Sequence, residues 1–508
     1  MKKKVLIALF AIFVLALALR VIFLPQGSLL FMYDMARDAW VVDAILKGDF
    51  KILGPPASTP GLFHGVFYYY LLAPAYLLGK GSPLVASAYL AFLNSLGVLI
   101  VYYLTKLITK KPKTSLLAAF FYAISFGVSQ YAAWLSNPSI ALWTVPLIYL
   151  GLWLWLAEGK AWGPVVTGLG LGLSMQAEIF LGYHFIPILL WLWVERARIK
   201  RKSLLVFLIV FLATASSIIL AEMKFGFKGI AAVASIFFSE DVFVKFRSLG
   251  DFIVLYLNQM GRVFSLTLLP SNVGYGGFLG IVIIVLAYKN WRKEKVKRRI
   301  SWQPFLISYV LSHLAIVSLG GISTPFLTAG LEVGIIILAA IFVEEFLKKE
   351  RFLAGFFLLL LVVSNLGLIF KENKKGQTNF AIQKDMTLAR QLEVVNYTYQ
   401  ESRGSSFSIN TFTSPLFMNT LWSYLYNWYG KGNYGYLPEW TGRDQVDQLG
   451  NNLPLAQKET KLHFFIIEPM QGIPEHFLVY ELGAEDVRSQ LVEERRFGEI
   501  RVQKRYAK

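Results

Sequence analysis

The 508-residue chain is 56% hydrophobic and 16% charged, with a mean hydropathy of +0.52, which excludes a protein bathed on all sides by water. Its formal net charge of +18 would suit nucleic acid, but much of the excess lies in short clusters between apolar runs, where the positive-inside rule puts Lys and Arg, so no nucleic-acid partner is expected. With no cysteine there is no disulfide framework, thiolate metal site or cysteine nucleophile.

Met1 to Lys4 and the apolar run after them carry no small-residue cleavage pattern and read as an uncleaved first membrane helix. Further apolar runs predict membrane helices near 83–107, 115–133, 139–157, 164–175, 179–194, 203–221, 274–289, 302–319, 327–346 and 353–370, in addition to 5–23. Pro164 to Val194 is read as a hairpin of two short crossings, because basic residues flank both of its ends; Met175-Gln176-Ala177-Glu178 forms its outer tip. The expected fold is an α-helical polytopic membrane protein with about eleven transmembrane helices. Basic clusters at Lys2–Lys4, Lys106–Lys113, Arg196–Lys202, Lys289–Arg299 and Lys348–Arg351, with Lys160, mark the cytoplasmic side. This places the N-terminus on the cytoplasmic side of the plasma membrane and three segments on its outer side: the first loop Leu24–Ser82, the loop Glu222–Val273, and the C-terminal part. Residues 1–370 are thus expected as the membrane domain and 371–508 as an extracytoplasmic soluble domain.

The soluble part alternates a helical stretch (Asp385–Glu401), a strand (Ser406–Asn410), an aromatic helix (Pro415–Tyr429), a buried strand (Leu462–Ile467) and a helix ending near Glu494, a small α/β domain. Trp422, Tyr424, Tyr426, Trp428 and Tyr429 fit an aromatic core, a saccharide site or a seat on the membrane.

Several chemistries are excluded by their missing motifs. Gly79-Lys80 lacks the first glycine of a phosphate-binding loop, which would stand at Pro74, and the Ser or Thr at Gly81. No GxGxxG follows a strand, and neither HExxH nor GxSxG occurs. The inner loops are too short for a nucleotide-sugar domain, so an activated group used outside must arrive on a lipid. A multi-pass transporter or lipid flippase is the alternative, with compact loops and paired broken helices as its signature; the long loop Leu24–Ser82 speaks against it.

That loop reads Tyr33-Asp34-Met35-Ala36-Arg37-Asp38-Ala39-Trp40, then Gly48-Asp49-Phe50, then Phe63-His64-Gly65-Val66-Phe67-Tyr68-Tyr69-Tyr70. An acidic residue just past the first helix, an amphipathic interfacial helix and an aromatic second one resemble the first loop of the GT-C superfamily, in the branch of protein O-mannosyltransferases and aminoarabinose transferases. Asp34 and Arg37 match the family's Asp-Glu-x-Arg, Gly48-Asp49-Phe50 its Gly-Asp-Trp, and His64–Tyr70 its aromatic stretch. Met35 replaces the second acidic residue, Val66 a usual proline, Asn137 an Asp before Pro138, and Gln176 and Glu178 a frequent Lys. The resemblance implies a glycosyltransferase that takes sugar from a polyprenyl-phosphate donor in the membrane lipid and passes it to a hydroxyl acceptor on the outer face.

Asp34, Arg37 and Asp38 stand at i, i+3 and i+4, one face of a helix, where they form either an ion-paired surface or a site. In the site reading Asp34 is the general base and Arg37, with Lys224 and either Arg20 or His64, neutralises the departing phosphate. Arg20 could equally snorkel to the headgroups. Asp38, His64, Tyr68, Asn137, Gln176, Glu178 and Glu222 are the remaining candidate substrate contacts; each also has an ordinary structural use, helix capping for Asn137 among them. Related enzymes with lipid-pyrophosphate donors join carboxylates of the first two outer loops around a divalent cation. With Asn137 in the second, neither a metal nor any other cofactor is expected.

Overall fold

A computed structural model of the chain describes residues 3–57, 61–238, 248–270, 272–294, 300–314, 325–443, 451–456 and 460–508. Five described helices are long and apolar enough to cross a membrane: Lys3–Gln26, Pro83–Thr109, Asn137–Leu156, Val273–Lys293 and Arg351–Lys375. The number rises to seven if each of two bent pairs is one span. The other segments expected to cross are helical but shorter, more charged or only partly described. Gly163–Ala177 has 15 residues and rises roughly 22 Å, short of a bilayer core of about 30 Å. Of the expected 302–319, Trp302–Val310 is helical, and 315–319 lies outside the described residues.

The first helix, α1 (Lys3–Val21), is apolar almost throughout. It leads into two helices of the first loop, α2 (Tyr33–Leu46) and α3 (Phe67–Leu78), which the amphipathic spacing predicts. α2 buries Met35, Ala36, Ala39, Val42 and Ile45 along with Arg37 and Asp38. Pro83, at the first turn of α4 (Pro83–Ser95), starts the next span without wasting a donor; α5 (Gly97–Thr109) completes it.

The helices α6 (Pro112–Ile124) and α7 (Phe126–Ala132) meet at a bend of 61°. Backbone groups freed at such a break need partners in an apolar medium. Asn365 Oδ1 accepts the Phe126 N–H at 2.8 Å, and the Ser125 hydroxyl donates to Thr267 O at 2.9 Å. A 3₁₀ turn (Asn137–Ile140) opens α8 (Ala141–Leu156), which packs closely on α9 (Gly163–Ala177). A Cβ at Gly170 would come within 2.5 Å of Ile148 N, so the small residues of α9 are what permit the approach.

The backbone of Glu178 is extended (φ −148°, ψ 112°) and ends α9 at the tip that the hairpin reading predicts. A 3₁₀ segment (Ile179–His184), then α10 (Phe185–Val194), continue the chain. Next, α11 (Arg201–Thr214) and α12 (Ser216–Lys224) form the second bent pair, at 59°, followed by α13 (Lys228–Phe238).

Beyond the last apolar helix the chain forms a five-stranded sheet, ordered β2-β1-β3-β5-β4. Its strands are β1 (Ser408–Phe412), β2 (Glu439–Trp440), β3 (Leu462–Ile467), β4 (Ser489–Phe497) and β5 (Ile500–Ala507). β1 runs parallel to β2 and β3, and β5 antiparallel to β3 and β4. The expected helix ending near Glu494 stops at Arg488, and the rest is strand. Leu491 to Arg496 are adequate helix formers, but pairing with β5 through the turn at Gly498 (φ +62°) overrides that local preference. The sheet domain is tied to the first loop: Leu388 N–H bonds Leu29 O at 2.8 Å and Phe31 N–H bonds Met386 O at 3.1 Å.

Candidate active site

Because α2 starts at Tyr33, Asp34 lies in its first turn, where a negative charge complements the helix dipole. One turn on, Arg37 donates from Nη1 to Asp34 Oδ1 at 2.6 Å, and from Nε and Nη2 to Asp38 Oδ1 at 3.0 and 2.7 Å. The two carboxylates differ in access: the Asp34 side chain is 63% exposed and that of Asp38 4%. Burial pushes Asp38 up to about 6, against the pull of Arg37. Tyr69 adds a hydroxyl at 3.3 Å from Asp38 Oδ1. Asp38 is thus a buried brace for the guanidinium, and Asp34 is the carboxylate open to a ligand.

This cluster forms one wall of a cavity of about 440 Å³, within the usual range for a small-molecule site. His64, Asn137 and Glu178 share the lining with Asp34, Arg37 and Asp38, so six of the candidates meet there. His64 Nδ1 accepts the Ile179 N–H at 3.1 Å and stands 3.5 Å from Glu178 Oε1. Burial and the charge of Arg37 pull His64 down to about 3. Burial also pushes Glu178, at the turn between α9 and the 3₁₀ segment, up to about 8, opposed by the Phe180 N–H. At neutral pH the two are therefore an uncharged pair rather than an ion pair, with the imidazole proton on Nε2, since Nδ1 accepts. The Asn137 amide donates to Ala177 O, fastening the turn before α8 to the C-terminal end of α9.

Other candidates lie around the cavity rather than in it. Gln176 is a clamp: its amide donates to Thr214 O at 2.8 Å and Ser217 Oγ at 2.7 Å, and its Oε1 accepts the Phe67 N–H at 3.1 Å. Tyr68 is fully buried, and its hydroxyl has no hydrogen-bond partner among the described residues. Glu222 lines a separate, apolar cavity of about 570 Å³ and accepts the Ile230 N–H at 3.0 Å. Lys224 is exposed, its Nζ 5.6 Å from the Phe225 ring centroid. Arg20 does not snorkel outward. It is buried and donates to Ala16 O at 2.6 Å, Tyr122 O at 3.2 Å and Ala123 O at 3.3 Å, pinning α1 to α6.

The wall that sequence reasoning missed comes from the segment after the last apolar helix. Phe380 stacks on Trp134 at 3.9 Å and 8°, and Asn379, Ala381 and Ile382 join it in the lining. The segment is held at both ends. Gln130 Oε1 accepts the Asn379 N–H at 3.0 Å, while the Gln383 amide donates to Glu468 Oε2 at 3.0 Å and Pro469 O at 2.9 Å. Burial pushes Glu468 up to about 7, opposed by the hydrogen bonds from Ser414, Gln383 and Trp422. Nothing in the aperiodic sequence around Phe380 signals this placement.

Among the described residues no group of three or more His, Cys, Asp or Glu is set to hold a metal ion. The arrangement offers an accessible carboxylate, a braced guanidinium, neutral hydrogen-bonding groups and an aromatic face in one cavity. This is a set able to take a proton and to balance developing negative charge.

No protein-family model matches the chain, and no curated protein matches it in sequence. Among solved structures, ArnT from Cupriavidus metallidurans bound to undecaprenyl phosphate is similar at TM-score 0.56 and 11% identity, over 99% of this chain and 98% of that one. The apo state of the same protein matches at 0.56 and 10%, over 97% of each chain. The Archaeoglobus fulgidus oligosaccharyltransferase is similar at TM-score 0.48 and 15% identity over 79% of this chain, which spans 58% of its length. At the identities of the two ArnT structures it is the fold alone that is shared.

Proposed function

We propose that this chain, a multi-pass membrane protein with the GT-C fold along its whole length, is a glycosyltransferase that uses a polyprenyl-phosphate sugar at the outer face of the membrane. The observation that carries the reading is the meeting of Asp34, Arg37, His64, Asn137 and Glu178 at one cavity, with Asp34 accessible and Arg37 braced from behind by Asp38. The acceptor hydroxyl oxygen attacks the anomeric carbon. The bond from that carbon to the phosphate oxygen breaks, its electron pair leaves with the polyprenyl phosphate, and Asp34 takes the hydroxyl proton. Arg37 balances the charge gathering on the phosphate. The stacked Trp134–Phe380 pair offers an apolar face to a sugar ring. The apolar cavity beside Glu222, which shares Phe180 with the polar one, is suited to the first isoprene units. The basic clusters support an orientation with the N-terminus in the cytoplasm, the sheet domain outside, and residues 1–370 and 371–508 as the two domains.

The test is transfer of radiolabelled sugar from a polyprenyl-phosphate donor by the purified chain in detergent, with candidate hydroxyl acceptors. Release or transfer of label supports the reading, and its absence across hexose and pentose donors counts against it. The two bent helix pairs are the feature that favours a transporter or flippase instead; carrier-lipid translocation in proteoliposomes without glycosyl transfer would establish that alternative.

A further inference from the structure

A second cavity, of about 450 Å³, lies between the first-loop helices and the sheet domain. Three lysines line it: Lys47 at the end of α2, Lys80 in the turn after α3, and Lys431 beyond the aromatic helix. Lys47 is paired with Asp43 at 2.6 Å, whereas Lys80 and Lys431 have no carboxylate partner among the described residues. Trp40, Tyr424 and Trp428 supply the aromatic walls, and the indole Nε1 of Trp40 is buried with no hydrogen-bond partner among the described residues. The cleft is a built one. The Tyr424 hydroxyl donates to Gly81 O at 2.6 Å. Gly81 has φ +85°, and a Cβ there would come within 2.9 Å of Trp428.

Its position says what it faces. Leu46 and Leu77 stand at the rim, exposed by 39% and 63%, with Phe50 and Leu78 nearby in sequence at 74% and 82%. Only Gly81 and Ser82 separate Lys80 from the candidate span Pro83–Thr109. Exposed aliphatic side chains, a Trp/Tyr cluster and unopposed ammonium groups at the mouth of a span are the chemistry of the headgroup layer.

We propose that this cleft is a binding site for the phosphate headgroup of an anionic phospholipid, seating the sheet domain on the bilayer next to the first loop. Lys80 and Lys431 contact the phosphate oxygens, Trp40 and Trp428 lie at headgroup depth, and the rim leucines meet the acyl chains. None of these residues belongs to the Asp34 cavity, so the site stands independently of the proposed reaction.

The test uses the full chain in an uncharged maltoside, with binding of dihexanoyl-phosphatidylglycerol, dihexanoyl-phosphatidylcholine and digalacturonate followed by native mass spectrometry. Phosphatidylglycerol is expected to bind at least tenfold more tightly than phosphatidylcholine. The double variant Lys80→Gln, Lys431→Gln should lose that preference while keeping the wild-type thermal midpoint, because both side chains are exposed. Asp34→Asn should keep the preference, which separates this site from the catalytic one. Equal binding of the two lipids, or a preference the double variant retains, would overturn the proposal. So would digalacturonate bound through the lysines with phosphatidylglycerol inert, since the cleft would then be a site for an acidic glycan.

Discussion

Glu178→Gln isolates the cost of keeping an ionisable group buried beside the cavity. In the folded chain Glu178 is pushed from 4.5 up to about 8, by burial that the Phe180 N–H only partly offsets. Between those values the native state keeps a proton that the unfolded chain has released, so stability falls as pH rises. At about 1.36 kcal/mol per pH unit the loss is negligible at pH 4, roughly 3 kcal/mol at pH 7, and levels off near 5 kcal/mol above pH 8. Glutamine keeps the size and the carbonyl that accepts the Phe180 N–H, and it never ionises. The variant is therefore expected to be more stable than wild type by roughly 3 kcal/mol at pH 7, with the advantage gone near pH 4. Thermal unfolding in an uncharged detergent, followed by tryptophan fluorescence at pH 4.5, 6, 7 and 8, reads this directly. A stability difference that does not change with pH, or a variant less stable at pH 8, would refute the reasoning. If turnover needs only a neutral group beside His64, wild-type activity also falls above pH 8 and the variant's does not; if it needs the acid proton itself, the variant is impaired at every pH.

Asp34→Asn keeps size and removes the proton acceptor, so single-turnover sugar transfer should drop by roughly 10² or more with donor binding unchanged; near-normal turnover would reassign the base. Asp38→Asn should cost about tenfold or less, because Asp34 still pairs with Arg37. As the Asp38 carboxyl titrates near 6 and holds Arg37 only when ionised, wild-type turnover should decline below that pH, and this acid limb should vanish in Asp38→Asn. Turnover is expected to survive EDTA, since Asn137 cannot offer the second outer turn's carboxylate to a cation; complete loss restored by Mg²⁺ or Mn²⁺ would show otherwise. A cysteine placed at Ser405 should react with impermeant maleimide from outside intact cells, and labelling confined to inverted vesicles would reverse the topology.

The sequence by itself determined whatever depends on near neighbours along the chain. Apolar runs about as long as a bilayer is thick marked the long helices, and the i, i+3, i+4 spacing put Asp34, Arg37 and Asp38 on one face of α2. The aromatic helix and the strands at β1 and β3 followed from local periodicity in the same way. Tertiary structure decided what depends on partners distant in sequence. It buried Asp38 and left Asp34 open, although both lie within one helical turn of Arg37. It brought Phe380 onto Trp134 across the fold, turned Ser489–Phe497 into a strand because β5 was there to pair with it, and drew Arg20 into carbonyls of α6. It also set Glu222 in a separate cavity and left Lys224 exposed, although the sequence puts both at the end of one apolar helix. The physical reason is common to these cases. Spacing along a helix fixes direction about its own axis, but burial, access and ionisation are set by whatever packs against it, and those neighbours come from anywhere in the chain.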